Sequence, residues 1–319
     1  MSRQPPFSII IPAKPELQAP VALAAVSRLD YPPANLEILV VRGRQPSVQR
    51  NTALRQARGE IIYFLDDDSC PTPDNLRRAL VHFADPAVKM VGGPNLCPSD
   101  APPLEQVFAL VLASWLAFGP SRARYWPVGK TRPTGEKELI LCNLLARRAD
   151  LLELGGFNEA LYPNEENALM DELQKRGGKL IYDPQLIAHR RPRRTLKSFC
   201  KMLFTYGRGR AEQFRVNPTP GSALNFVPPL FCVYLVALPA LTLLSKIFLL
   251  PLAFYTLAIL GQTLALIPIG GVGKVLAALP LNILIHLLYG CGFWRGLFTK
   301  LKSAGEHPQA SVTVEKISP

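Results

Sequence analysis

Three adjacent acids, Asp66-Asp67-Asp68, directly follow the apolar run Ile61–Leu65. In an extended chain the first and third point to the same side, so the carboxylates of Asp66 and Asp68 can converge on one cation. Hard oxygen ligands in that arrangement suit Mg2+ or Mn2+ held together with a substrate diphosphate. The end of such a strand is also where open α/β sheets bind ligands. The plainer alternative is a solvated acidic turn capping the next helix, but three acids at the end of a core strand repel one another. An EF-hand is excluded because its Gly and its distal Glu are missing.

These acids need a scaffold, and the flanking pattern supplies one. Phe7–Ile11 is a short apolar run ended by Pro12, and it reads as a buried parallel strand. Pro20–Leu29 has helical spacing, with Val21, Ala24, Ala25 and Leu29 on one side, and Tyr31-Pro32-Pro33 stops it. Leu36–Val41 is a second strand, Asn51–Ala57 a helix, and Ile61–Leu65 a third strand. Strand, helix, strand, helix, strand with short links is the pattern of a doubly wound α/β sheet. Further on, Pro73–Phe83 reads as a helix and Val88–Val91 as a strand. Leu104–Phe118 reads as a buried or interfacial helix, and Gly119–Lys137 as a mobile loop. Leu139–Arg147 reads as a strand, Ala149–Leu154 and Asn167–Lys175 as helices, and Leu180–Tyr182 as a strand.

The composition is lopsided. Charged residues concentrate before about residue 216, and from Phe226 to Phe298 only Lys246, Lys274 and Arg295 carry charge. This block divides into roughly Val227–Leu244, Ile247–Leu266 and Val275–Phe298, each near the ~20 residues that a helix needs to cross a bilayer. Pro239, Pro251, Pro268 and Pro280 interrupt it, which membrane helices tolerate better than soluble ones. Arg208, Arg210 and Arg215 precede the block, and Arg295, Lys300 and Lys302 close it. The positive-inside rule then places both ends in the cytoplasm, which three full crossings do not allow. A net charge of +12 points to anionic lipid or phosphorylated substrates rather than nucleic acid, because the arginines are not interleaved with aromatics. The six cysteines show no CxxC pair, which favours a reducing compartment. The N-terminal residues lack the apolar run of a signal peptide, so the first part of the chain is expected in the cytoplasm.

The stretches FSIIIP, QRNTALRQARGEIIYFLDDDSCPTP, CNLLARRADLLELGGFNEALYPNEENAL and GGKLIYDPQLIAH, in this order and spacing, resemble the family 2 glycosyltransferases with a GT-A fold. The likeness covers the first two-thirds of the chain. HRRPRR…FCKMLFTYGRGRAEQFR and HLLYGCGFWRGLF are similar to membrane-anchored members that extend polyprenyl-diphosphate-linked glycans, of the exopolysaccharide or succinoglycan type. Resemblance and composition together imply a GT-A domain over 1–195, Rossmann-like and doubly wound. A basic juxtamembrane segment over 196–225 follows, then two to three transmembrane helices over 226–298 and a flexible tail over 299–319.

The resemblance implies donor contacts at Pro12, Arg50, Asp66, Asp67 and Asp68, with a Mn2+ or Mg2+ ion at Asp68 completed by His189. It places the catalytic base at Glu165 or Glu166, where the family usually has Glu-Asp, and phosphate or acceptor contacts at Arg208 and Arg210. The implied reaction is inverting transfer from a nucleotide sugar, with a UDP-linked donor as default, to a hydroxyl of a lipid-linked acceptor. It would take place in polysaccharide synthesis at the cytoplasmic face of the inner membrane, on a multi-pass protein. A hydroxyl is a poor nucleophile, a carboxylate can take its proton, and a divalent ion stabilises the diphosphate that leaves.

Each of these residues has a plainer role open to it. Glu165 and Glu166 can simply favour a helix dipole, and His189 can be a surface histidine. Arg190–Arg194 reads as a solvated or lipid-facing run, and Arg208 and Arg210 can be anchors to anionic lipid. One departure stands out: the second strand runs into Arg42-Gly43-Arg44-Gln45-Pro46, without the Asp that family members set against the nucleotide base. Arg42, Arg44 or Arg50 is expected to approach the donor instead. A membrane scaffold that has lost donor binding is the rival from another class. Transfer directly to polyprenyl monophosphate, which needs no base, is the rival reaction.

Overall fold

The computed structural model describes residues 4–161, 164–218, 220–301 and 312–317. The chain divides into two compact units, one holding residues 4–98, 123–190 and 312–317, the other 99–122 and 191–301.

The first unit is built on strands β1 (Phe7–Ala13), β2 (Leu36–Arg42), β3 (Ile61–Leu65), β4 (Cys70–Pro71), β5 (Val88–Gly92), β6 (Asn95–Leu96), β7 (Arg132–Thr134), β8 (Asn143–Arg147), β9 (Lys179–Tyr182), β10 (Ala188–His189) and β11 (Thr313–Ile317). Eight of them form one sheet in the order β11-β2-β1-β3-β8-β5-β9-β7, and β4-β10-β6 form a small second sheet. Side chains alternate across the large sheet. Phe7, Ile9, Ile11, Tyr63 and Leu65 face one apolar layer with Val26, Leu76, Ala79 and Phe83. Ile10, Ile62 and Phe64 face the other, with Ala53, Leu54, Leu151, Leu169 and Met170. The helices Val21–Val26 and Asn75–Phe83 thus cover one face, and Pro46–Gln56, Arg148–Glu153 and Glu165–Lys175 the other.

The strands expected from the apolar runs are present, with several differences. Pro12 does not end β1, which continues to Ala13 opposite Arg42. The pairing of β1 with β3 stops at Ile10 and Phe64, so beyond that point no β3 carbonyl waits for the N–H that proline lacks. The sheet is mixed rather than all parallel, because β8 runs antiparallel to both β3 and β5. The expected mobile loop Gly119–Lys137 contains β7, which pairs with β9. Arg132 there stacks 4.6 Å from the Tyr182 ring centroid and pairs with Glu138 at 2.6 Å. The expected flexible tail over 299–319 is an edge strand from Thr313 to Ile317, antiparallel to β2. Its Val314 packs on the core, and Glu315 pairs with Arg42 at 2.6 Å. Residues 302–311, Lys302 among them, and 318–319 lie outside the described residues.

In the second unit the expected helix Leu104–Phe118 is broken. Pro103–Leu112 and the segment from Trp115 meet at a 62° bend, where Ser114 Oγ accepts a hydrogen bond from the Ala117 amide. Leu196–Val216 is a helix opened by a capping box at Thr195 and Ser198, which satisfies two otherwise orphan amides. Three further segments are long and apolar enough to cross a membrane: Gly221–Leu244, Lys246–Ala265 and Ile267–Phe298. The last begins eight residues before the expected Val275, and Gly271 breaks its backbone at φ 71°. Glycines set how closely this helix packs on Leu196–Val216. A Cβ at Gly207 would lie 2.0 Å from the Tyr289 carbonyl oxygen, and one at Gly292 2.0 Å from that of Phe204. Small residues are what permit such backbone approach between apolar helices.

Candidate functional site

Strand β3 is buried throughout and ends at Leu65, so Asp66 emerges where the core stops. The turn that follows is closed by Ser69, whose amide donates to the Asp66 carbonyl at 3.1 Å and whose Oγ accepts from the Asp66 amide at 3.3 Å. Helix Pro46–Gln56 lies beside this strand end and is unusual in burying polar side chains, Gln49, Arg50 and Asn51 among them. Gln49 donates to the Ala13 carbonyl at the end of β1 (2.9 Å). Asn51 donates to the Phe157 carbonyl and accepts from the Phe157 amide at 2.9 and 2.8 Å, fixing the chain that leads to the second acidic pair. Between them Arg50, its side chain 7% exposed, reaches Asp66 Oδ1 at 3.1 Å and Glu165 Oε1 at 3.2 Å.

Glu165 opens helix Glu165–Lys175, preceded by Asn164 in a left-handed conformation, φ 96°. Among the described residues Asn164 is the only non-glycine with positive φ, a conformation that surrounding structure must enforce and that often marks a functional turn. Asn164 Oδ1 accepts from Asn167, whose own Oδ1 accepts from Arg124 at 2.7 Å. Burial pushes the Glu165 carboxyl up to about 8, the neighbouring Glu166 carboxylate adds to this, and the Arg50 guanidinium opposes it. Glu166 is half-buried in the same first helical turn.

The cationic counterpart of the aspartates comes from β10. This strand pairs His189 with Cys70 and Leu96, and the chain leaves it at Arg190. Arg190 Nη1 lies 3.0 Å from Asp66 Oδ2, and its Nε 2.5 Å from Asp68 Oδ1. Burial works against the Arg190 charge, but Asp66 and Asp68 outweigh it and hold its pKa well above the ordinary guanidinium value. Asp67 is pushed up by burial and by both flanking acids. Beneath the site, buried Asn143 donates to the carbonyls of Pro94 and Leu186 (3.2 and 2.7 Å) and accepts from Tyr63 Oη at 2.7 Å. It ties β3, β8 and the turns before β6 and β10 together.

The structure therefore joins Glu165, Arg50, Asp66 and Asp68, through Arg190, in one continuous chain of ion pairs. Pro12 stays within β1 opposite Val41 and has no charge to contribute. His189 is not drawn in as a third ligand. Among the described residues no three His, Cys, Asp or Glu side chains gather as a metal site, and the place between Asp66 and Asp68 holds the Arg190 guanidinium. The two carboxylates thus converge on one positive charge, carried by the Arg190 guanidinium. Of the three arginines expected near the donor, only Arg50 reaches the acids. Arg42 pairs with Glu315, and Arg44 with Glu16. Arg208 and Arg210 belong to the second unit, where Arg208 pairs with Glu212 at 3.3 Å and Arg210 donates to Gln213 at 3.2 Å. Arg191 likewise grips buried Glu105 with two hydrogen bonds of 2.6 and 2.5 Å. The Arg190–Arg194 run is thus not uniformly a solvated face, since its first two members are committed to carboxylates. The signal that could have found Arg190 is its place immediately after a strand aimed at the acidic turn.

The chain is similar to several known proteins. Residues 37–106, which contain Arg50 and Asp66 to Asp68, match the glycosyl transferase family 2 model. The chain is 30% identical over 166 residues to the pre-mycofactocin glycosyltransferase of Mycobacterium tuberculosis, a stretch that is 50% of this chain and 34% of that protein. It thus spans about a third of the length of the curated relative it matches. The mannosyltransferase PcManGT from Pyrobaculum calidifontis, solved with GDP-Man and Mn2+, superposes with a TM-score of 0.57 at 20% identity, covering 92% of this chain and 88% of that one. S. aureus TarS 1-349, solved with UDP-GlcNAc, gives 0.46 at 13% identity over 92% and 90% of the two chains. The family match is thus confined to residues 37–106, and the mixed sheet that carries them has the GT-A fold.

Proposed function

We propose that this protein is a glycosyltransferase that moves a sugar from a nucleotide-sugar donor to an acceptor hydroxyl, with a divalent metal ion and inversion at the anomeric carbon. The observation that carries the proposal is the joining of Asp66 and Asp68, at the end of β3, to the Glu165-Glu166 turn through Arg50. Asp66 and Asp68 are the residues that would hold Mn2+ or Mg2+, and the bound ion supplies positive charge against the leaving diphosphate. Arg50 fixes the distance between the donor acids and the base turn. Glu166, half-buried at a helix start, accepts the proton of the attacking hydroxyl. Glu165, buried and inclined to stay protonated, sets the field around it.

The acceptor side rests on composition. Three apolar helices and the arginines of Leu196–Val216 support a lipid-linked acceptor and a membrane-bound enzyme, with the catalytic unit at the cytoplasmic face of the inner membrane. Polysaccharide synthesis of the exopolysaccharide type is the process this arrangement would serve. The donor nucleotide has two precedents among the structural neighbours, GDP and UDP, so both belong in the test. The full-length protein in detergent is screened with nucleotide sugars and Mn2+ or Mg2+ for slow donor hydrolysis. One donor should be hydrolysed in a metal-dependent way, with a loss of about a hundredfold or more in Asp68→Asn. Absence of any donor hydrolysis, with lipid acceptor also supplied, would favour a scaffold. Full transfer by Glu166→Gln would favour a phosphate acceptor that needs no base.

A further inference from the structure

The aspartate turn carries more negative charge than it can hold alone, and two guanidiniums answer it from different depths. Arg50 is 7% exposed and braced by Glu165 as well as Asp66, whereas Arg190 is 25% exposed and reaches Asp66 and the half-exposed Asp68. Asp66 spends one oxygen on each arginine, and Asp68 spends Oδ1 on Arg190. A divalent ion needs these same oxygens, because Mg2+ and Mn2+ take hard carboxylate ligands. One guanidinium must yield, and the outer one, with its partner Asp68 open to solvent, is free to do so. Arg50 is held from both sides, by Asp66 and by buried Glu165.

We propose that Arg190 is an exchangeable internal cation, which neutralises Asp66 and Asp68 in the resting protein and is displaced from them by the divalent ion. Once released, its planar fork matches the oxygens of a diphosphate, which a guanidinium can bind in bidentate fashion. Metal entry and diphosphate capture then become one exchange rather than two independent events. This inference rests on the metal-dependent reading of the aspartate site.

The test is Mn2+ binding in the absence of nucleotide, read from the loss of the free-ion electron paramagnetic resonance signal. Wild type, Arg190→Gln, Arg190→Lys and, as a control, Asp68→Asn are compared. Removing the competing cation should tighten Mn2+ binding by about tenfold or more in Arg190→Gln, while GDP or UDP binding at saturating Mn2+ weakens. Arg190→Lys keeps the charge without the fork and should resemble wild type for Mn2+ but resemble Arg190→Gln for nucleotide. It also guards against misreading a folding defect in Arg190→Gln. Unchanged or weaker Mn2+ binding in Arg190→Gln overturns the inference, as does no Mn2+ binding by any variant. In the latter case donor hydrolysis in chelator decides separately whether the transferase reading stands.

Discussion

Glu165→Gln keeps the size of a side chain that is 3% exposed and removes its ability to ionise. In the folded protein burial and Glu166 raise this carboxyl from 4.5 to about 8, even with Arg50 beside it. A carboxyl whose folded pKa lies above its unfolded one retains a proton on folding, so stability falls as pH rises through that window. Each pH unit is worth about 1.4 kcal/mol, so wild type should lose stability of order 4 kcal/mol between pH 4.5 and pH 8 through this residue alone. For a body of about 150 to 250 residues, 1 kcal/mol moves the melting midpoint by about 2–4 °C, so the expected displacement is roughly 10 °C. The assay is thermal unfolding of detergent-solubilised, metal-free protein from pH 5 to pH 8.5, for wild type and Glu165→Gln. Subtracting the two curves cancels the titrating groups remote from Glu165 and leaves its own titration with that of its coupled neighbour Glu166. The variant should be flatter with pH and overtake wild type at the alkaline end. Parallel curves would refute the claim that Glu165 is buried against its charge, and a wild type that gains on the variant with rising pH would show that the Arg50 pair prevails.

Two further substitutions probe how the units are held. Asn143→Ala strands the carbonyls of Pro94 and Leu186 and removes an acceptor from Tyr63. It should cost about 2–3 kcal/mol, read as an earlier urea midpoint. Gly207→Ala places a Cβ 2.0 Å from the Tyr289 carbonyl oxygen. It should destabilise the second unit by about 1–3 kcal/mol, read as earlier thermal loss of the monodisperse peak in size-exclusion chromatography, while the Glu165 titration is unaffected.

The strands were legible because β1, β2 and β3 are runs of branched and aromatic residues that no exposed segment would carry. Their directions were not. An apolar run buried on both faces reads the same either way, so the reversed β8 left no mark in the sequence. The acids at Asp66 and Asp68 could be found from type and spacing, and Arg50 from its likeness to a family stretch. Arg190 was hidden inside a run of arginines, and only the path of β10 separates it from its neighbours. Arg208 and Arg210 drew attention through their glycine-rich context, yet Gly207 serves helix contact, since its missing Cβ admits the Tyr289 backbone. The edge strand was overlooked although Val312, Val314 and Lys316 alternate with Thr313, Glu315 and Ile317. Its register is set by distant partners, Arg42 on Glu315 and Glu37 on Lys316, which no local pattern announces.

For a chain whose apolar helices enter a lipid bilayer, that edge strand would also constrain the route. A hydrogen-bonded sheet cannot be shared between two sides of a membrane, and Thr313–Ile317 is paired with Leu36–Arg42 along its whole length. The chain that departs after Arg190 must therefore be back on its side of origin by Val312, and the number of traverses between them is even. Among the described residues three apolar helices lie in that interval, so in a bilayer at most two of them would be simple crossings, and the third would lie along the surface or dip in and return. Reporters placed beside Phe7 and beside Ile317 must accordingly be reached from the same side, and the basic residues flanking the apolar block are then free to share one aqueous face.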